Sequence, residues 1–185
     1  MGERERLRKL IQELAYEKGE VILASGKKSD FYVDCRQVTL HSEGGYLVGS
    51  VILDMLTKGG EPVEAVGGLT MGADPMVTSV SVLSHIRGVP LHAFIVRKEA
   101  KKHGKGAWIE GTKNLREGMK VAILEDVVTT GGSTLKAVEK AEEFGLKVER
   151  IICLVDREEG GRENIEKAGY RLESVFTRKE ITGEE

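Results

Sequence analysis

Cysteine is scarce in this chain. The two in its 185 residues, Cys35 and Cys153, stand far apart and in no metal-ligand spacing, which argues against a thiolate metal site and against a disulfide framework. Both read as small buried hydrophobes of a reducing compartment. Long apolar runs are missing as well. No stretch approaches the roughly 20 apolar residues that span a bilayer, so a membrane-spanning helix is excluded. The opening segment MGERERLRKLIQELAYEKG is charged almost from its start and has no apolar signal core, so a soluble, cytoplasmic protein is expected. Nor is there an excess of charge of one sign. A net charge of -2 gives no whole-molecule attraction to nucleic acid or to an anionic membrane, so neither is expected as a partner and any basic function must be local. Internal repeats and low-complexity tracts are also lacking.

What is present is globular composition, 40% hydrophobic and 31% charged, in a length that suits one domain with a sizeable core. Residues 1–185 are therefore expected to form a single domain. Leu7, Leu10, Ile11 and Leu14 fall at helical spacing, and Gly19 is the expected stop. EVILASGKKSDFYVDCRQ reads as two short extended pieces around a Ser-Gly-Lys-Lys turn. Ser42 is the expected N-cap of a helix running to Gly59-Gly60. EAVGG, HAFIVR, KVAILEDVV, VERIICLVD and YRLESVF read as strands. Between them lie helices over Met76 to Ile86, opened by Asp74-Pro75, and through Leu135, Val138, Ala141 and Phe144. Strands alternating with helices predict an α/β fold, a central and mainly parallel sheet flanked by helices, with VAIL and IICLV buried on both faces. The C-terminal TRKEITGEE reads either as the start of a helix or as a tail.

The stretch VAILEDVVTTGGST carries the most chemistry. Its apolar run ends in two acids, Glu125 and Asp126, where ligands bind in open α/β sheets, beyond the carboxyl ends of the strands. Neighbours on a regular strand point to opposite faces, so the pair can border one cleft only from different sides. Val127 and Val128 then lead into Thr129, Thr130, Gly131, Gly132 and Ser133. Glycines let backbone N–H groups turn toward a phosphate, the hydroxyls add donors, and the next helix presents the positive end of its dipole. A Walker A loop is excluded, because Ser133 rather than lysine follows the glycines, and so is G-x-G-x-x-G. Taken alone, TTGGS also fits an ordinary capped strand-to-helix turn. The adjacent acids favour a cradle for a sugar phosphate, whose hydroxyls suit carboxylates.

This combination resembles the phosphoribosyl-diphosphate signature of type I phosphoribosyltransferases. The resemblance implies that Glu125 and Asp126 hold the ribose hydroxyls and that residues 127–133 hold the 5′-phosphate. A second stretch, RKEAKKHGKG, resembles the catalytic loop of orotate phosphoribosyltransferases. Arg97, Lys98, Lys101, Lys102, Lys105 and a protonated His103 form a dense cationic segment with Glu99 its one acid. Such cations would stabilise a departing diphosphate, although most charge runs are simply solvated. Fully extended, ten residues reach roughly 33 Å, enough to serve a neighbouring subunit.

SGKKSDFYVDCRQ resembles the family's N-terminal hood segment, which gives residues 1–40 that role and places Tyr32 near the base. LVDREEGGREN resembles the strand-end segment whose arginine, here Arg157, binds orotate. A guanidinium fork matches a carboxylate, and the alternative for Arg157 is an ion pair with Glu158 or Glu159. Thr129 would add a contact to the base. The diphosphate segment is GGLTMGADP, with Thr70, Met71 and Gly72 as contacts. Two positions depart from the family pattern. Ala24 and Met71 stand where many members carry lysine, so diphosphate binding would rest on backbone N–H groups, Thr70, the loop cations and Lys27 or Lys28.

The resemblance implies Mg2+-dependent transfer of the phosphoribosyl group from 5-phosphoribosyl 1-diphosphate to orotate in pyrimidine synthesis. It implies Lys101, His103 and Asp126 nearest the chemistry, a magnesium ion held mainly by substrate oxygens and water, and a homodimer sharing the basic loop. The rivals are a purine-base phosphoribosyltransferase, which has no use for Arg157, and a regulator that keeps the ligand site. The latter would need a nucleic-acid-binding segment, and none is evident.

Overall fold

A computed structural model describes residues 1–22, 28–100 and 108–184. The chain opens with helix α1 (Glu3–Leu10), continued by a π-helical turn over Ile11–Ala15. Strands β1 (Tyr16–Ile22) and β2 (Lys28–Val33) form an antiparallel hairpin. A short helix α2 (Arg36–Thr39) leads into α3 (Ser42–Lys58). Then follow β3 (Ala65–Leu69), α4 (Asp74–Ile86), β4 (His92–Val96), β5 (Ile109–Glu110), β6 (Lys120–Val128), α5 (Gly132–Glu143), β7 (Lys147–Asp156), α6 (Gly161–Lys167), β8 (Leu172–Thr177) and α7 (Arg178–Thr182).

The main sheet has six strands in the order β5-β4-β3-β6-β7-β8. All pairs are parallel except the edge pair β4–β5. Alternate residues of the central strands feed two separate cores. Ala122, Leu124, Ile152 and Leu154 pack with α1, α3, α4 and the hairpin. Val121, Ile123, Ile151 and Cys153 pack with α5. This period-two division is what continuous apolar strands covered on both faces produce. Both cysteines are free and fully buried, and burial pushes both thiols up.

Several local expectations are corrected. The first helical segment ends at Ala15, and Gly19 lies inside β1 with φ 141°, at a register shift between Lys18 and Val21. Tertiary pairing overrides the helical spacing here. Tyr16 packs on Phe31 of β2 with centroids 5.3 Å apart, and Asp34 N–H donates to the Ala15 carbonyl. Ser42 is the first residue of α3 rather than its cap. His41 caps it, accepting from Gly44 N–H through Nδ1. In α4 the cap position is Ala73, and Asp74 and Pro75 already lie within the helix. The short helix α6 and the edge strand β5 were not expected. The C-terminal stretch does form a helix, closed at its start by a capping box between Thr177 and Glu180. The turn at 23–27 lies outside the described residues.

Candidate active site

Strand β6 stays regular through Val128, so the acids sit within the strand, before its turn. They split to opposite faces as the pleat demands. Glu125 follows Ile123 toward α5, where its Oε2 accepts from Ser133 Oγ at 2.7 Å and Thr134 Oγ1 at 3.1 Å. Asp126 faces the other way, toward the loop between β3 and α4. A Cβ on Gly72 would fall 2.5 Å from its Oδ1. The close approach leaves room there only for glycine. Both acids nevertheless line one cleft of about 380 Å³.

Their electrostatics are unusual for carboxylates. Neither makes an ion pair among the described residues. Glu125 is 5% exposed, and burial, aided by the Asp126 charge, raises its pKa to about 7 against the pull of the two hydroxyls. Burial also raises Asp126, opposed by the Val127 N–H that donates to its Oδ1. Two neighbouring acids held this way share a tendency to keep a proton.

The turn after β6 supplies the opposite polarity. Gly131 takes φ 80° at the N-cap of α5, and no side chain caps that helix, so the N–H groups of its first turn are available to an anion. The turn is held from behind by α6. Asn164 Nδ2 donates to the Thr130 carbonyl, and Gly161 lies so close that a Cβ there would meet the Thr129 carbonyl at 2.7 Å.

The remaining expected residues fall in three groups. Tyr32, Thr70, Met71, Gly72, Lys98, Val127, Thr129, Ser133 and Arg157 line the same cleft as the acids. Thr70 is tied down, its Oγ1 donating to Asp74 Oδ2 at 2.8 Å, and the Thr70–Met71 peptide bond is cis. Ser133 spends its hydroxyl on Glu125 rather than offering it to the cleft. Other expected residues do not line it. Val128 is buried, Thr130, Gly131 and Gly132 form the turn itself, and Arg97 is ion-paired with Glu110 at 2.9 Å. Lys101 and His103 lie outside the described residues, as do Ala24 and Lys27.

Arg157 is both a cleft residue and an ion-pair partner. It is 6% exposed and meets Glu159 at 2.8 Å. The pairing weighed against orotate binding is therefore present, between an Arg157 that lines the cleft and an exposed Glu159. Sequence reasoning missed Asp34 and Arg36, which line the cleft and pair with each other at 2.8 Å, and Thr134 behind Glu125. Arg36 and Asp34 stood within the hood segment, but nothing in their spacing marked them. Among the described residues no helix is long and apolar enough to cross a membrane.

The chain is similar to known proteins over nearly its whole length. The chain matches the phosphoribosyl transferase domain family over residues 52–178. It is 50% identical to the orotate phosphoribosyltransferase of Sorangium cellulosum, over 97% of this chain and 93% of that protein. The orotate phosphoribosyltransferase of Aquifex aeolicus is 47% identical, over 98% of both. Among solved structures, that of Mycobacterium tuberculosis orotate phosphoribosyltransferase in complex with 5-phospho-alpha-D-ribosyl 1-diphosphate superposes with a TM-score of 0.81. It is 34% identical, over 98% of this chain and 99% of that one.

Proposed function

The chain belongs to the phosphoribosyltransferase family, alongside orotate phosphoribosyltransferases with which it shares about half its residues, and on that premise we propose that its cleft transfers the phosphoribosyl group of 5-phosphoribosyl 1-diphosphate to orotate. One observation carries the reading: two carboxylates that make no ion pair among the described residues and one helix N-terminus without a side-chain cap border the same cleft. Carboxylates accept from a vicinal diol, and the uncapped amides donate to a phosphate, so the ribose phosphate is gripped at both ends.

The chemistry asks little covalent help. Orotate displaces diphosphate at the anomeric carbon through an oxocarbenium-like state, as at other glycosidic centres. Thr129 and Arg157 border the place for the base, and Arg157 supplies the charge that a carboxylated pyrimidine needs. Tyr32 borders it from the hood. Thr70, Met71 and Gly72 present the diphosphate loop, and Lys98 adds a cation from the strand end. Lys101 and His103 complete the charge on the leaving group, with Lys101 as electrostatic stabiliser. Glu125 and Asp126 give the cleft hard oxygen donors, which would suit a magnesium ion arriving with the substrate. When bound, the ion neutralises charge on the departing diphosphate.

The same reading includes a cytoplasmic homodimer in which the basic loop serves the neighbouring site. Leu40, Met71 and Ile86, each well exposed, are apolar surface that a second copy would cover. The decisive assay is release of diphosphate from 5-phosphoribosyl 1-diphosphate across a panel of orotate, uracil, adenine and hypoxanthine, with and without Mg2+. Release with orotate alone, lost when Mg2+ is chelated, is expected; release driven by a purine would overturn the assignment. Mixing two inactive variants, Lys101→Ala and Asp126→Asn, should restore activity if the loop crosses between subunits.

A further inference from the structure

Arg157 is held by more than its own strand. Its Nε donates to Glu159 Oε1 at 3.0 Å, and Nη2 lies 2.8 Å from the same oxygen. Nη2 also donates to the Phe31 carbonyl of β2 at 3.0 Å. The guanidinium carbon lies 5.4 Å from the centre of the Phe31 ring. That ring is fully buried and is met by Arg178 of α7 at 5.3 Å. Among the described residues the loop after β7 and the hairpin thus meet this guanidinium, and the C-terminal helix meets the Phe31 ring beside it.

The loop carrying Glu159 is itself pinned. Glu158 adopts φ 57°, a conformation side chains rarely take without support. Its N–H donates to Asp156 Oδ1 at 2.9 Å, and its carboxylate accepts from Lys179 N–H of α7 at 3.2 Å. Asp156, 1% exposed, is gripped by Nε and Nη2 of Arg162. Residues 156–159 therefore form a braced corner that presents Arg157 to the cleft wall, with Glu159 paired to it.

We propose that Glu159 is a positioning residue: by holding the Nε edge of Arg157 it fixes the guanidinium plane for the carboxylate of a pyrimidine base, and so sets the preference for carboxylated over uncharged bases. The assignment rests on the function proposed above. The physical ground is twofold. A guanidinium that must meet a planar carboxylate loses affinity unless its plane is fixed beforehand. A buried cation also needs a counter-charge while the site is empty, and Glu159 provides one without filling the cleft. The hairpin enters through the Phe31 carbonyl, which ties the base pocket to the hood.

The test compares Glu159→Ala and Glu159→Gln with wild type in orotate-dependent diphosphate release, with both substrates varied. For Glu159→Ala the KM for orotate should rise about tenfold, while kcat and the KM for 5-phosphoribosyl 1-diphosphate stay within twofold. Glu159→Gln, which keeps an acceptor oxygen, should recover part of the loss. The ratio of orotate to uracil turnover should fall in step. An unchanged or lowered orotate KM in both variants would overturn the assignment, the lowered value marking Glu159 as a competitor for Arg157. Both KM values rising together would equally overturn it, as the mark of a merely structural residue. If Glu159→Ala does not fold, as read by circular dichroism, Glu159→Gln alone decides by the same criteria. Wild-type protein showing no orotate-dependent release would bring down the function and the positioning role together, so the two failures are told apart before any variant is made.

Discussion

At the entry end of β7 and β8, Glu149 and Glu173 meet cations. Lys147 reaches Glu149 at 2.7 Å, with Lys120 beyond it at 3.6 Å, and Arg150 grips Glu173 through Nε and Nη2 at 2.8 and 2.7 Å. At the exit end of β6, Glu125 and Asp126 make hydrogen bonds with hydroxyls and an amide, and no ion pair among the described residues. Glu149 and Glu125 are shifted in opposite directions. The Lys147 ammonium beside Glu149 holds that carboxyl below its usual range, while burial lifts Glu125 to about 7. The same residue type is thus ion-paired within the protein at one end and, among the described residues, left without an ion pair at the other. A carboxylate buried without a cation weakens the fold. Its presence at the mouth of a cleft is a sign of function, since sites that bind are commonly built at the expense of stability.

The sharpest way to break this contrast is Asp126→Asn, which keeps the shape and removes the charge. The kcat/KM for 5-phosphoribosyl 1-diphosphate should fall about 100-fold, or roughly 2.7 kcal/mol, with no loss of thermal stability at neutral pH. Activity within threefold of wild type would mean that the exit-end acids are as structural as the entry-end ones. The reverse experiment is Arg150→Ala. Arg150 is 5% exposed and also donates to the Gly59 carbonyl, so its loss leaves Glu173 without its cation and removes one carbonyl's donor. Urea denaturation should show a loss of about 2–3 kcal/mol, below the full penalty for a buried pair because Glu173 is partly exposed. Catalysis should stay within twofold, because Arg150 lies roughly 20 Å along β7 from the cleft.

Much of this contrast could be read from the amino-acid sequence, and the reason is periodicity. VAIL and IICLV carry their two-faced burial in composition alone, and the parity of Glu125 and Asp126 follows once β6 is placed. TTGG was legible because Gly131 needs a left-handed φ that few other residues adopt. Features made by contact between distant segments were not legible. Gly19 looked like a helix stop because the pairing of Tyr16 with Phe31 is invisible locally. Helix α6 is too short to show a period, and its glycines read as loop although Gly161 exists to let the helix approach Thr129. Arg36 and Glu159 look like ordinary surface charges until the hairpin and the corner after β7 are folded onto the site. The basic loop was the plainest signal in the sequence, yet its central residues 101–107 lie outside the described part of the chain.

A smaller effect probes stability directly at the exit end. Glu125 has a folded pKa near 7 against an ordinary value near 4.3 in the unfolded chain. The folded state therefore holds the proton more tightly. The stability this group contributes is complete below about pH 4 and is lost as pH rises through about 7. Glu125→Gln mimics the protonated form at every pH. It should therefore be more stable than wild type by on the order of 2 kcal/mol at pH 8, with the difference closing only near pH 4. Thermal melting of both proteins across that range checks it. A gap independent of pH would show that Glu125 stays charged in the folded protein and that Ser133 and Thr134 solvate it fully.

The smallest effect belongs to the entry end, and its smallness sharpens the comparison. Lys147 is well exposed and pairs with a Glu149 that Lys120 also reaches. Surface pairs of this kind contribute little, because each charge is already hydrated and the long side chain must be ordered to make the contact. Lys147→Gln should shift stability by no more than about 0.5 kcal/mol, and less at 1 M salt, where screening acts within about 3 Å. A larger, salt-resistant loss would mean that Lys147 holds Glu149 in place much as Arg150 holds Glu173. The entry end would then depend on its cations as strictly as the exit end does without them.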